Sequence, residues 1–463
     1  MQNNHTQGVY RWVIRLAIPI ALQNIITYSV GLADNLMVGS LGELALSGVY
    51  VANQLQGLLH MMVIGLGAAM TILITQYWGR EDKESVKSIM SIALKVSLVA
   101  SIAVLASTLL FPESILRLFT DEEPVIPEAL AYLKVIRFSY IIFCLTQILI
   151  SAMRCIERVK IGLYVSILSF FTNVFLNWVL IFGKLGAPAL GVQGAAIATL
   201  ISRIVEFVAM LIYVRLVENK LNFRFQHFIK TNMILLKDFF QYGFPVIAGD
   251  ILWGVNLAVQ GAIVGRLGST ALASVSISNT IFQIFSVGVY GVAGASSIVI
   301  GQTVGSGDYD TVKEYAKKLQ VLFLILGIIS GLIMFASKGY ILRLYNISDD
   351  TFAMVSQFIT VLSIMLVGTS YQMSVLTGIV RAGGSIYFVL VNDLLHVWLI
   401  VIPSALIAAF VFHAPPVVVF ACLKSDQILK CIVAVIKVNK FNWIKNLTRE
   451  VENSNYIKEG KME

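Results

Sequence analysis

The chain predicts an all-α polytopic membrane protein with twelve transmembrane helices in two six-helix lobes related as parallel repeats, and three observations predict it. First, 57% of the 463 residues are hydrophobic and only 13% are charged, with a mean hydropathy of +0.82, whereas a soluble domain carries about a quarter charged residues. Second, the segment Pro19–Lys87 recurs without a gap as Pro245–Lys313, an offset of 226 residues at both ends and close to half the chain. Third, roughly twelve stretches approach the span of about 20 mainly apolar residues that a bilayer demands.

Those stretches lie near 11–36, 46–76, 88–111, 130–153, 159–183 and 192–216 in the first half, and near 239–264, 271–303, 317–337, 353–380, 385–411 and 415–437 in the second. They divide the chain into an N-terminal lobe, 1–217, a basic cytoplasmic linker, 218–237, a C-terminal lobe, 238–437, and a polar cytoplasmic tail, 438–463, expected to be mobile or interfacial. The register of the repeat is long. Val38-Gly39 matches Val264-Gly265, Asn53 matches Asn279, Gln76 and Gly79 match Gln302 and Gly305, Asp82 matches Asp308, and Ile115-Leu116-Arg117-Leu118 matches Ile341-Leu342-Arg343-Leu344.

An even number of spans per half makes the copies enter and leave on one side, and duplicated membrane units of this kind are the mark of a transporter with its site between the halves. Arg80, Lys83, Lys87, Arg154, Arg158, Lys160, Lys220, Lys237, Lys313, Lys317, Lys440 and Lys445 fall on one face, which the positive-inside rule makes cytoplasmic together with both termini. The formal net charge of +8 is mainly this bias and argues for no nucleic-acid partner. The first apolar stretch has no small-residue cleavage site and reads as a spanning helix. Cys144, Cys155, Cys422 and Cys431 form no CxxC pair and suggest neither a disulfide frame nor a zinc site.

The turns Ser40-Leu41-Gly42-Glu43 and Arg266-Leu267-Gly268-Ser269 are short enough to force tight antiparallel hairpins. Gly65, Gly67, Gly291 and Gly294 read as packing positions where backbones approach closely.

Ionisable groups inside a span cost enough to be functional candidates by default. Asp34 lies late on helix 1, and its repeat partner is the neutral Gln260. Asn173 and Asn177 are four apart, hence on one face of helix 5, and Thr199 on helix 6 falls at a similar depth. A carboxylate, two amide oxygens and a hydroxyl make a shell for a small hard cation; the same carboxylate, desolvated, takes up a proton instead. The plainer reading puts Asp34 in water near the outer surface, with the asparagines bridging helices.

Asp250 lies about eleven residues into helix 7, and Asp393, His396, Asp426 and Lys430 are further embedded groups. Asp426 and Lys430 at i,i+4 and Arg203 and Glu206 at i,i+3 have the spacing of intrahelical ion pairs. His396 is either a proton relay or a hydrogen-bonded structural group. Met37, Trp253, Gln260, Tyr290 and Met373 are candidates for a soft interlobe cavity suited to flat cations.

The run from Pro19 through Asp34-Asn35-Leu36-Met37-Val38-Gly39-Ser40-Leu41-Gly42, its echo from Pro245 through Val264-Gly265-Arg266-Leu267-Gly268, and Gly191-Val192-Gln193-Gly194-Ala195-Ala196-Ile197-Ala198-Thr199 resemble the multidrug and toxic compound extrusion (MATE) family, in its bacterial NorM/DinF-like branches, over nearly the whole chain. The resemblance implies a V-shaped pair of lobes in a bacterial plasma membrane, and export of amphipathic, often cationic, compounds in exchange for sodium ions or protons. It implies that Asp34, Asn173, Asn177 and Thr199 form the first-lobe cation site and that helix 1 bends at Pro19. Asn177 stands where the DinF-type branch can carry aspartate. Gly254 stands where NorM-type members carry a glutamate, and Ser385 replaces an acidic residue after Arg381-Ala382-Gly383-Gly384, so the resemblance implies no NorM-type cation site in the second lobe. Asp250 matches an acidic position of other bacterial members, and Asp250 and Asp393 are the second-lobe candidates.

The expectation is therefore a cation-coupled multidrug exporter, a monomer with small-molecule substrates and no cofactor beyond its coupling ion. A lipid-linked oligosaccharide flippase is the alternative, disfavoured by twelve spans and few interior arginines. A membrane-embedded enzyme is more remote, because no catalytic cluster appears in the loops.

Overall fold

The structure is a computed structural model that describes residues 8–229, 232–343, 345 and 347–449. It is helical almost throughout. The first half comprises α1 (Val9–Gly39), α2 (Glu43–Gly79), α3 (Lys83–Leu110), α4 (Glu123–Ile136 and Ser139–Cys155, meeting at 55°), α5 (Val159–Phe182) and α6 (Gly191–Val217). The second comprises α7 (Met233–Gly265), α8 (Ser269–Gly305), α9 (Tyr309–Leu342), α10 (Asp349–Arg381), α11 (Ile386–Val411) and α12, which is split into Pro416–Leu423 and Asp426–Asn439.

Among the described residues, ten helices are by themselves long and apolar enough to cross a membrane, and the bent α4 pair makes an eleventh. The sequence reads 415–437 as one continuous stretch; the structure breaks it at Lys424 and Ser425, where two polar residues interrupt the apolar run from Val417 to Leu423.

The repeat is reproduced atom by atom at the helix ends. Gly42 and Gly268 close the two hairpin turns with φ of 118° and 109°, a region that only glycine enters freely. Asp82 caps α3 by accepting from the Ser85 amide and hydroxyl, and Asp308 caps α9 through the amide and hydroxyl of Thr311.

The lobes meet along α1, α2, α7 and α8. In the first turns of α1, Val9, Val13, Leu16 and Ile20 are buried in an apolar cluster of the second half, with Val292, Ala295 and Val299 of α8. Leu235, Phe239 and Val246 of α7 are buried in the cluster of the first half. A Cβ at Gly291 would sit 3.0 Å from the Ala17 carbonyl oxygen and the Ala21 Cβ, and one at its counterpart Gly65 would sit 3.2 Å from the Ile247 Cα. These glycines do pack backbone against backbone; Gly294 faces open space.

The closest approach is between α2 and α8. A Cβ at Gly79 would lie 1.9 Å from the Gln302 carbonyl oxygen, and one at Gly305 would lie 1.9 Å from that of Gln76. The two glutamines then reach across the interface: Gln302 Nε2 donates to the Cys155 carbonyl at 2.8 Å, and Gln76 Nε2 to the Ala382 carbonyl at 3.2 Å.

The tail departs from expectation. From Lys440 through Arg449 it is packed under this crossing, with Trp443 fully buried against Gly383; residues 450–463 of the predicted tail lie outside the described residues. The Lys445 amide donates to the Gly383 carbonyl at 2.7 Å and the Leu447 amide to Gln76 Oε1 at 2.7 Å. Arg449 pairs with the buried Asp238 at 2.6 Å. Within the predicted linker, the Glu218 carboxylate accepts the amides of Lys220, Leu221 and Asn222.

Gly79→Val and Gly305→Val each place a side chain where a backbone oxygen lies and are expected to lower stability by at least about 1–3 kcal/mol. Trp443→Ala empties a buried site under the same crossing and is expected to cost about 3–5 kcal/mol. Thermal unfolding of the purified variants in detergent checks both, and a Trp443→Ala variant as stable as wild type would show that the tail is not part of the folded body.

Candidate functional site

Beyond the crossing, α1 and α7 each turn to their own lobe, and each lobe encloses a cavity. Pro19 in α1 and Pro245 in α7 are both buried inside continuous helices. Each lacks the N–H that would bond the carbonyl one turn back, which weakens the helix there.

The first-lobe cavity measures about 280 Å³ and is lined by Asp34, His60, Thr199 and Arg203 among others. The four residues singled out from sequence form one hydrogen-bonded chain at its wall, with Asp34 and Thr199 lining the cavity and Asn173 and Asn177 buried behind them. Asn177 Nδ2 donates to Asp34 Oδ1 at 2.5 Å and to Asn173 Oδ1 at 3.2 Å, and Asn173 Nδ2 donates to Thr199 Oγ1 at 3.3 Å. Both asparagines are 0% exposed. The helical spacing explains the chain: residues 173 and 177 stack one turn apart on α5, so one end of the pair faces α6 and the other faces α1. Asn177 Oδ1 is buried without a hydrogen-bond partner among the described residues, an oxygen left over beside a carboxylate.

Sequence reasoning placed Arg203 and Glu206 as a pair, and they form one, at 2.9 Å, in the wall of this cavity. The Arg203 guanidinium also lies 4.8 Å from the Phe143 ring centroid. Deeper toward Pro19, Arg154 Nη2 donates to Gln23 Oε1 at 2.6 Å and Gln23 Nε2 to Ser166 Oγ at 3.3 Å, a second polar link from α1 to α4 and α5. Gln23, His60 and Tyr132 were missed, because a lone glutamine, histidine or tyrosine in an apolar run carries no spacing signal.

The second-lobe cavity is larger, about 350 Å³, and is lined by Asp250, Trp253, Gln260, Tyr290, Met373 and Asp393. Met37 lines neither cavity; it packs against the first-half apolar cluster. The two cavities differ in charge. Lys430 is 3% exposed and sits between two carboxylates, 2.8 Å from Asp393 and 3.2 Å from Asp426. The predicted Asp426–Lys430 pair is thus part of a three-residue cluster, and Asp393 is already answered by an internal ammonium. Asp250 Oδ2 is buried without a hydrogen-bond partner among the described residues. His396 Nδ1 is 2.8 Å from the Asn392 carbonyl, within its own helix. Among the described residues no group of three or more His, Cys, Asp or Glu side chains could hold a metal ion.

Lys430→Ala would leave the buried Asp426 without its ion-pair partner. The expected loss of stability is about 3–5 kcal/mol, read as a drop in melting temperature, with a smaller drop for Asp393→Asn because the Asp426 pair survives.

The MatE family model matches residues 19–179 and 245–407. The chain is 26% identical over 415 residues, 88% of each chain, to the probable multidrug resistance protein YoeA of Bacillus subtilis. It is 23% identical over 446 residues, 95% of this chain and 94% of the relative, to the probable multidrug resistance protein NorM of Thermotoga maritima. The crystal structure of MATE in the bent conformation superposes with a TM-score of 0.84 at 18% identity, covering 94% of this chain and 98% of that one. The two matched segments start at the two prolines and follow the repeat; the chain belongs to the MatE family and is a multi-pass membrane transporter, not an enzyme.

Proposed function

We propose that this transporter exports amphipathic, often cationic compounds across a bacterial plasma membrane by alternating access, in exchange for sodium ions or protons taken up at Asp34. The observation that carries this reading is the hydrogen-bonded chain Asp34–Asn177–Asn173–Thr199, which ties α1 to α5 and α6. The names of the relatives, multidrug resistance proteins, support the substrate class. Cavities of about 280 and 350 Å³ are of the size that receives drug-sized molecules rather than a lipid-linked oligosaccharide.

The ionised Asp34 carboxylate holds the Asn177 amide. A proton or a sodium ion arriving at Asp34 competes for the same oxygen and draws on the spare Asn177 Oδ1, so the bond between α1 and α5 is remade. Pro19 lies fifteen residues back on α1, about 22 Å along the helix, at the point where α1 leaves the second-lobe cluster. Rearrangement there changes the first-lobe cavity while the crossing of α2 and α8 opens or closes the opposite end. Coupling requires the ion to bind one state more tightly than the other, since equal affinity shifts nothing.

The test is extrusion of ethidium from vesicles carrying the protein, with sodium and proton gradients imposed separately. One of the two gradients is expected to drive transport, and Asp34→Asn to reduce it by more than about tenfold, the factor given by 1.4 kcal/mol of lost differential binding. Wild-type efflux in the Asp34→Asn vesicles would sink the coupling assignment.

A further inference from the structure

The tail that follows α12 changes sides within a few residues. Phe441, Trp443 and Ile444 pack in the apolar cluster of the second half, whereas Leu447 packs against that of the first. The seat on the second lobe is the turn Arg381-Ala382-Gly383-Gly384. A Cβ at Gly383 would overlap the Trp443 ring, and one at Gly384, whose φ is +99°, would lie 2.6 Å from the Lys445 carbonyl oxygen. Two missing side chains thus let the tail lie directly on that turn. Trp443 Nε1 donates to the Val438 carbonyl at 2.8 Å and the Lys445 amide to that of Gly383, so residues 441–445 are fixed to the lobe from which they emerge.

The first lobe holds the next few residues by different means. Gln76 Oε1 accepts the Leu447 amide at 2.7 Å, the Tyr77 hydroxyl accepts the Arg449 amide at 3.1 Å, and Arg80 Nη1 donates to the Arg449 carbonyl at 3.2 Å. Arg449 Nη2 reaches Asp238 at 2.6 Å, at the start of α7, where that helix is packed in the first-half cluster. Trp443 is fully buried, but the Arg449 side chain is 53% exposed. Burial of an indole is a large term, while hydrogen bonds beside water exchange for hydration at small net cost. The grip on the first lobe is therefore the one that lets go. Gln76, Tyr77 and Arg80 flank Gly79, where α2 touches α8, so the lobes cannot part there while both grips hold.

We propose that residues 447–449 are a releasable latch: the tail stays with the second lobe, and the crossing of α2 and α8 opens only after the latch leaves Gln76, Tyr77, Arg80 and Asp238. The tail thereby acts as an inhibitory contact that holds the transporter in the state with the crossing closed. This rests on the alternating-access reading, which requires that end to open once in each cycle.

Hydrogen–deuterium exchange of the full-length protein in nanodiscs, read by mass spectrometry on peptides spanning residues 72–80 and 298–306, reports how often the crossing opens. In the double variant Leu447→Pro, Arg449→Ala, proline removes the amide given to Gln76 and alanine the guanidinium given to Asp238. Both peptides are expected to exchange about tenfold faster than in wild type, the worth of one charge-assisted hydrogen bond. A peptide from the first-lobe cavity wall, residues 173–181, is expected to keep its rate, which also shows that the variant folds. Arg449→Ala alone should give about fivefold, the upper end for a partly exposed ion pair, and adding Asp238→Asn should change little more, because the two residues make one contact. Unchanged exchange at the crossing in the double variant overturns the latch; so does a rise spread equally over the whole chain, which would mark the tail as ordinary packing. Extrusion of ethidium from vesicles is a separate readout. Its absence from wild type alongside latch-dependent exchange would overturn the exporter reading and leave the latch standing.

Discussion

The structure depends on the place where α2 and α8 cross with no side chain between them. Gly79 lies against the backbone of Gln302, and Gly305 against that of Gln76. In lipid there is no hydrophobic force to hold two helices together, so close backbone contact and interhelical hydrogen bonds must do it. Here both are present, because each glutamine also bonds a carbonyl of the other lobe. Since the two contacts are equivalent under the repeat, one pair of residues three apart, duplicated, makes both halves of the joint.

The V shape and the cavities follow from that joint. The first turns of α1 and α7 are exchanged between lobes, each buried in the other half's apolar cluster. Farther along, each helix rejoins its own lobe, α1 through Asp34 and Asn177 and α7 through Gln260 and Lys424. The lobes are thus tied at one end and separate at the other, and a buried proline stands in each helix along that passage. The packed tail adds a second tie, joining Gln76 of one lobe to Gly383 of the other.

The duplicated scaffold carries unlike chemistry. The first-lobe cavity has a carboxylate whose nearest partners are neutral amides, so an ion can compete for it. The second has a carboxylate pair already bridged by Lys430, and a second lysine, Lys424, bonded to Gln260. Much of this was legible. The repeat, the spacing of Asn173 and Asn177, and the Arg203–Glu206 and Asp426–Lys430 pairs are local or periodic, and periodicity survives into the fold. Asp393 joining Lys430, Gln260 meeting Lys424 and the burial of Trp443 are contacts between distant segments, and no local pattern announces them.

By itself the sequence determined the order of the helices, their arrangement as two equivalent halves, and the membrane as solvent, because hydropathy and a self-match at an offset of 226 residues are properties of the chain read along its length. The tertiary structure decided which embedded charges neutralise one another and which remain available, where α12 breaks, and that residues 441–449 are packed rather than free. Those outcomes depend on which helix faces brought together from opposite ends of the chain lie within hydrogen-bond reach, and α-helical periodicity specifies a residue's face without specifying its neighbour.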